Sequence, residues 1–264
     1  MNPGPRLPLL FDVPAPGSSF IDLLTMMGYP VLPTVDKDAR ALQVPEGTTV
    51  LALRYADGVV MAGDRQATEG NLVAHRHIRK VFQADGFSAV AIAGTAGLAI
   101  EMVRLFQVEL EHYEKIEGHR LSVEGKAAFL ARLVRNQLAM AFQGLVVVPL
   151  FAGYDEALGA GRLYTYDVVG GRYEENEFGS TGSGARLAKS YLRTTYRPDL
   201  TVDEAVTIAV GALVSAAQED TATGGPDLRR GILPNVLVIS ASGVEDLGDE
   251  RVRPAAEIAV DTIR

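Results

Sequence analysis

The chain has 264 residues, 47 % of them hydrophobic and 22 % charged, with a formal net charge of −8, four histidines and no cysteine. This is an ordinary globular composition, and its negative balance argues against a general nucleic-acid or anionic-membrane binder. The missing cysteines exclude disulfides and thiolate-ligated zinc, and fit a reducing, cytoplasmic setting.

Residues 1–47 hold eight of the thirteen prolines. Proline removes a ladder donor and fixes φ, so this segment is a poor candidate for a packed sheet. Pro8, Asp12, Pro14 and Pro16 also interrupt any secretory hydrophobic core. One short apolar helix, Phe20–Met27, is expected between Ser18-Ser19 and Gly28. No run is long and apolar enough to suggest a membrane span.

From Thr49 the texture changes. Thr49–Tyr55 and Gly58–Gly63 read as a hairpin turned at Ala56-Asp57, and Ile78–Gln83 with Phe87–Ala93 as a second one. A long helix follows, with Ala99, Met102, Val103, Phe106, Leu110 and Tyr113 on one face and Gly118 at its end. Another opens at the N-cap Ser122, is expected to bury Ala127, Leu130, Ala131, Val134, Leu138 and Ala141, and stops before Gly144. Strands return at Val146–Tyr154, Arg162–Val168 and Tyr173–Gly179. Helices follow at Ala185–Thr194 and Val202–Asp220, the latter behind a Thr201-x-x-Glu204 capping box. A strand at Val236–Ser240 and a helix at Pro254–Arg264 close the chain. Short turns within the strand groups argue for antiparallel pairing, so the expected fold is α+β, a four-layer αββα sandwich of two antiparallel sheets.

Several positions suit chemistry. Gly47-Thr48-Thr49 stands where the proline-rich segment meets the first strand. A threonine hydroxyl is a weak nucleophile without an adjacent base. Cleavage between Gly47 and Thr48 would create one, an α-amine with a pKa of about 7.7–8.0. Asp64 ends the second strand in Gly63-Asp64-Arg65, and Lys80 falls within the expected strand Ile78–Gln83. Lys80 reads either as a snorkelling edge residue or as a buried ammonium paired with Asp64, holding positive charge near a hydroxyl. Gly94-Thr95-Ala96-Gly97 joins a strand to a helix, where unpaired N–H groups suit an oxyanion. Gly179-Ser180-Thr181-Gly182-Ser183-Gly184 is glycine-dense, but Leu187 takes the third glycine's place in a phosphate fingerprint and no Walker lysine follows. His75-x-His77 lacks a carboxylate-rich partner, so no metal is expected, and no Gly-x-Ser-x-Gly elbow supports a Ser-His-Asp triad.

Taken together, Gly47-Thr48-Thr49, Gly63-Asp64-Arg65, Arg79-Lys80-Val81, Ile92-Ala93-Gly94-Thr95-Ala96-Gly97, Gly182-Ser183-Gly184 and Asp220-Thr221-Ala222-Thr223-Gly224-Gly225 resemble the catalytic β subunit of the 20S proteasome, and the match runs from Thr48 onward. His112-Tyr113-Glu114-Lys115 and Ala222–Asp227 look like its actinobacterial branch. The resemblance implies an N-terminal nucleophile hydrolase, made as a zymogen with residues 1–47 as propeptide and 48–264 as catalytic domain. Thr48 would be nucleophile and base, activated by Asp64 and Lys80, with the Gly94 N–H in the oxyanion hole and Ser183, Asp220 and Thr223 around the amine. Thr223 stands where many relatives have serine. Thr68 and Ala96 match backbone positions that hold a peptide as an added strand, and Ala67, Ile78, Phe82 and Ile92 match pocket walls. No cofactor is implied. Implied partners are proteasome α subunits flanking homo-heptameric β rings, a ring-shaped ATPase acting through the α ring, and polypeptides tagged with a ubiquitin-like protein. Alternatives are a two-component bacterial protease with six-membered rings, a non-catalytic ring subunit, and a free-standing amidase of the same fold.

Overall fold

Strand β1 (Thr49–Tyr55) is buried along almost its whole length, which a strand achieves only when a layer covers each face. Its side chains alternate accordingly. Leu51, Leu53 and Tyr55 join a core shared with helices, whereas Val50 and Ala52 join a core between two sheets. This computed structural model describes residues 48–69 and 72–263, all within the compact unit Ala41–Arg264. Gly47 and the expected helix Phe20–Met27 lie outside the described residues.

The strands that follow are β2 (Gly58–Gly63), β3 (Ala67–Glu69), β4 (Leu72–His75), β5 (Val81–Asp85) and β6 (Ser88–Gly94). Helices α1 (Ala96–Glu117), α2 (Val123–Asn136) and the single turn α3 (Leu138–Ala141) come next. Strands β7 (Val147–Asp155), β8 (Ala160–Tyr166), β9 (Arg172–Glu175) and β10 (Phe178–Gly182) lead to α4 (Ala185–Thr195) and α5 (Val202–Glu219). The chain ends with β11 (Asn235–Ser240), β12 (Gly243–Leu247) and α6 (Asp249–Thr262).

One five-stranded sheet has the order β10-β1-β2-β11-β12 and the other β5-β6-β7-β8-β9, with β3-β4 a separate hairpin. Every pairing is antiparallel. Between the sheets the small side chains of Ala52, Ala89, Ala91, Ala93 and Ala152 meet Met61, Leu150, Leu163 and Ile239. On the outer side of the first sheet, Leu192 of α4 with Ala209 and Leu213 of α5 cover Leu51 and Val60. On the outer side of the second, Phe106 of α1 and Leu130 of α2 cover Val90 and Phe151. The fold is therefore the expected αββα sandwich.

Four local expectations need correction. Strand β5 begins at Val81, so Ile78, Arg79 and Lys80 precede it. Ile78 N–H is drawn instead to Arg65 O (3.0 Å), and the Arg79 guanidinium to Val81 O and Asp246. The stretch Tyr173–Gly179 is split between sheets, because the chain crosses at Asn176-Glu177, where Arg54 N–H takes Glu177 O (2.8 Å). The second long helix stops at Asn136, where Gln137 N–H turns to Val134 O, leaving Leu138 and Ala141 half-buried. The last helix starts at Asp249, ahead of Pro254, since Gly248 and the acidic pair Asp249-Glu250 complement a helix N-terminus. The hairpins β3-β4 and β11-β12 were not anticipated.

A buried ion pair fixes α2 to the second sheet: Lys126 Nζ lies 2.5 Å from Asp85 Oδ2, with side-chain exposures of 4 % and 14 %. Burial pushes the Asp85 carboxyl up, but Lys126, Ser88 and the Phe87 N–H outweigh it and hold it below the usual carboxylate range. This pair stabilises the fold above the ordinary carboxylate pKa, and that contribution fades as pH falls through the lowered folded value. Lys126→Met strands the carboxylate and should cost about 3–5 kcal/mol in denaturant unfolding at neutral pH, with a smaller difference from the parent chain in acid.

Candidate active site

The parity of β1 sends adjacent threonines to opposite layers. Thr48 shares the parity of Val50 and Ala52 and faces the second sheet, while Thr49 shares that of Leu51 and faces the helices. Both are buried. Several strand ends meet here: β2 stops before Asp64, β5 starts after Lys80, and β6 ends in Gly94.

Asp64 is fully buried and its carboxylate is surrounded by donors. Oδ1 accepts from Thr49 N–H (2.8 Å) and Lys80 Nζ (2.6 Å), and Oδ2 from the N–H groups of Gln66 (2.9 Å) and Gly224 (3.0 Å). Four donors on one carboxylate fix its orientation at the end of β2. Lys80 also donates to Gln66 O. Burial lowers the Lys80 pKa, while Asp64 and, less strongly, Asp220 oppose that shift. The snorkelling alternative is thereby set aside: Lys80 is buried and its ammonium is paired.

A second cluster lies on the helix side. Ser183 N–H donates to Thr48 O (2.9 Å), and Ser183 Oγ is 3.3 Å from the same carbonyl. Both Ser183 Oγ (2.6 Å) and Thr223 Oγ1 (2.5 Å) donate to Asp220 Oδ2. Asp220 is the C-cap of α5, and its Oδ1 accepts from Ala222 N–H (3.1 Å), which shapes the turn that carries Thr223.

Thr48, Lys80 and Gly94 line one pocket. Gly94 has φ of 116°, and a Cβ there would come within 2.0 Å of Val146 O, so only glycine suits this turn from β6 into α1. Ala67, Ile78, Ile92 and Ala96 also line this pocket; the resemblance implies wall positions for the first three and a backbone role for Ala96. Phe82 packs instead, partly buried, on the core shared with α1 and α2. Thr68 is buried in β3. Sequence reasoning passed over Ala99 and Ile100, which add to the pocket from the first turns of α1. It also passed over Gln66, Gly224 and the side chain of Thr49. Helical spacing marked Ala99 as core, and nothing in a lone Gln or Gly announces a backbone bond to a distant carboxylate. Among the described residues, no group of three or more acidic or histidine side chains could hold a metal ion, and no helix is long and apolar enough to cross a membrane.

The proteasome subunit family profile matches residues 44–227, a span that includes every residue of both clusters. The chain belongs to the proteasome subunit family. It is 53 % identical over 255 residues to the proteasome subunit beta of Acidimicrobium ferrooxidans, covering 97 % of this chain and 92 % of that one. It is 51 % identical over 257 residues to the proteasome subunit beta of Streptomyces griseus subsp. griseus, covering 96 % and 90 %. Identity at this level over nearly the whole length makes it a proteasome β subunit. The six-membered-ring and free-standing alternatives are set aside on the same ground.

Proposed function

We propose that this β subunit is a threonine-type endopeptidase, made as a precursor whose residues 1–47 are a propeptide removed by cleavage between Gly47 and Thr48. The observation that carries the reading is that Thr48, Lys80 and Gly94 share one pocket, with Asp64 bonded to Lys80 behind it. Once Thr48 is a chain terminus, its neutral amine takes the Oγ1 proton and Oγ1 attacks the scissile carbonyl carbon. The tetrahedral oxygen gathers negative charge beside the Gly94 N–H, and Lys80 keeps positive charge close by. Collapse breaks the C–N bond, and the ammonium returns its proton to the leaving amine. Water, deprotonated by the same amine, then cleaves the ester and regenerates Thr48. Thr68 and Ala96 would hold the substrate backbone as an added strand. The apolar walls would take an aliphatic side chain, with Ile100 limiting its length.

Proteasome β subunits assemble with α subunits in rings. In this reading the particle has two homo-heptameric β rings between α rings, works in the cytoplasm, and receives tagged polypeptides from a ring-shaped ATPase. The test is the mass of the β chain after co-expression with its α partner. The assembled chain should have lost residues 1–47, begin at Thr48, and hydrolyse fluorogenic peptides. Peptide hydrolysis by particles whose Thr48 is still internal would overturn the mechanism.

A further inference from the structure

Thr49 is bonded to both clusters, and its hydroxyl has no place in the mechanism above. It is fully buried. Its N–H goes to Asp64 Oδ1 (2.8 Å), and its carbonyl accepts from Asp64 N–H (3.1 Å). Its Oγ1 accepts from Gly184 N–H (2.9 Å) and lies 2.6 Å from Thr223 Oγ1. The direction of that last bond follows from proton counting. Thr223 has a single hydroxyl proton, and Asp220 Oδ2 at 2.5 Å, as a carboxylate oxygen, accepts it. Thr223 therefore accepts from Thr49, and the chain runs one way, from Gly184 N–H through Thr49 and Thr223 to Asp220.

The fit at Gly184 is equally close. A Cβ at that position would stand 2.5 Å from Thr49 Oγ1 and 2.7 Å from Thr223 Oγ1, so the absent side chain makes room for both hydroxyls.

We infer that the Thr49 hydroxyl is a positioning group for the nucleophile. By tying β1 to the Gly184–Thr223–Asp220 side while its main chain is tied to Asp64, it fixes the Thr48–Thr49 peptide and hence the aim of Thr48. It also commits the Thr223 proton to Asp220. Small misplacements of a reacting group are expensive, so a large effect on turnover is expected from a residue that does not touch substrate.

The inference rests on Thr48 being the nucleophile, and the test separates the two. The full chain carrying Thr49→Val, Thr49→Ser or Gly184→Ala is co-expressed with the α subunit, and peptide hydrolysis is normalised to the fraction of chains beginning at Thr48. Thr49→Val keeps shape and removes the hydroxyl; kcat should fall about 10- to 100-fold with KM within about two-fold. Thr49→Ser restores the hydroxyl and should recover most of kcat. Gly184→Ala, which leaves Thr49 in place but crowds its hydroxyl together with that of Thr223, should lower kcat in the same way and provides a second readout if the valine chain does not assemble. A valine variant with parental kcat, a loss confined to KM, or a serine variant as impaired as valine would overturn the inference. An inert Thr48→Ala particle beside a fully active Thr49→Val one sinks this inference alone. A Thr48→Ala particle that still turns over sinks the reading beneath it.

Discussion

Thr48→Ala should leave the β chain at full precursor length and its particles without peptidase activity. Both losses have one origin in the proposed mechanism, where Thr48 Oγ1 is the attacking atom in self-cleavage and in substrate cleavage. In hydrolases that form an acyl intermediate, removal of the nucleophile costs on the order of 10⁶ in kcat, which here means activity at the detection limit. The substitution removes only a hydroxyl and a methyl and leaves the main-chain tie of Ser183 N–H to Thr48 O in place. Association with the α subunit should therefore persist, which keeps the result from being a folding failure. Thr48→Ser is the informative companion. It keeps the oxygen and loses the methyl that restrains χ1, so it should process and turn over more slowly than the parent while remaining far above alanine. Intact mass spectrometry and a fluorogenic peptide assay on the same particles read both effects. Alanine particles that lose residues 1–47 at the parental rate would show that another group performs the first cut.

Much of the architecture was legible because the sandwich imposes a plain code. Strands covered on both faces read as continuous apolar runs, as in Thr49–Tyr55 and Gly58–Gly63, and the outer helices carry apolar faces such as Met102, Phe106 and Leu110 on α1. The errors fall where that code is silent. Tyr173–Gly179 looked like one strand because the crossing between sheets at Asn176-Glu177 carries no glycine or proline to mark it. Lys80 was placed inside a strand because Ile78, Val81 and Phe82 around it are apolar; β5 starts at Val81, with Ile78 N–H on Arg65 O, Arg79 on Asp246, and the Lys80 carbonyl still accepting from Ile92 N–H of β6. The β3-β4 hairpin escaped notice because β4 is exposed along its length, so burial gives it no pattern. At the site, charged and hydroxyl residues in unusual surroundings could be picked out by type. Their backbone partners could not: the bond from Gly224 N–H to Asp64 joins residues 160 apart, and glycine carries no chemical signature of such a role. Thr49 was hidden by its neighbour, since one threonine beside another reads as strand propensity.

Replacing Lys80 should cost less than replacing Thr48 but still most of the activity, and its pH behaviour distinguishes an electrostatic role from a packing role. The ammonium is buried, donates to Asp64 Oδ1 at 2.6 Å, and lines the pocket with Thr48. Lys80→Met removes the charge beside the developing oxyanion and leaves the Asp64 carboxylate with only its three backbone donors. Loss of such a group costs roughly 10²–10³ in kcat, in addition to destabilisation from an unpaired buried carboxylate. Burial sets the Lys80 pKa below the ordinary lysine value of 10.5, with Asp64 opposing the shift. In the proposed mechanism, activity of the processed particle needs the Thr48 amine neutral and Lys80 charged, so kcat/KM should be bell-shaped. The acid limb belongs to the amine, near its reference pKa of about 7.7–8.0, and the alkaline limb to Lys80, below the usual lysine range. Stability runs the other way in that alkaline window. Between the lowered folded value and the ordinary unfolded one, the unfolded chain binds more protons at this site, so its contribution to folding stability rises with pH while activity falls. A lysine that only packed would give no such opposition. Lys80→Arg retains charge well beyond the alkaline limb; if enough of it assembles to assay, it should show low kcat, because the larger guanidinium crowds Asp64 and Gln66, and no alkaline fall assignable to this position. A Lys80→Met particle within ten-fold of parental kcat, or an alkaline limb unmoved in Lys80→Arg, would remove Lys80 from the mechanism and leave the Thr48 amine as the sole titrating participant.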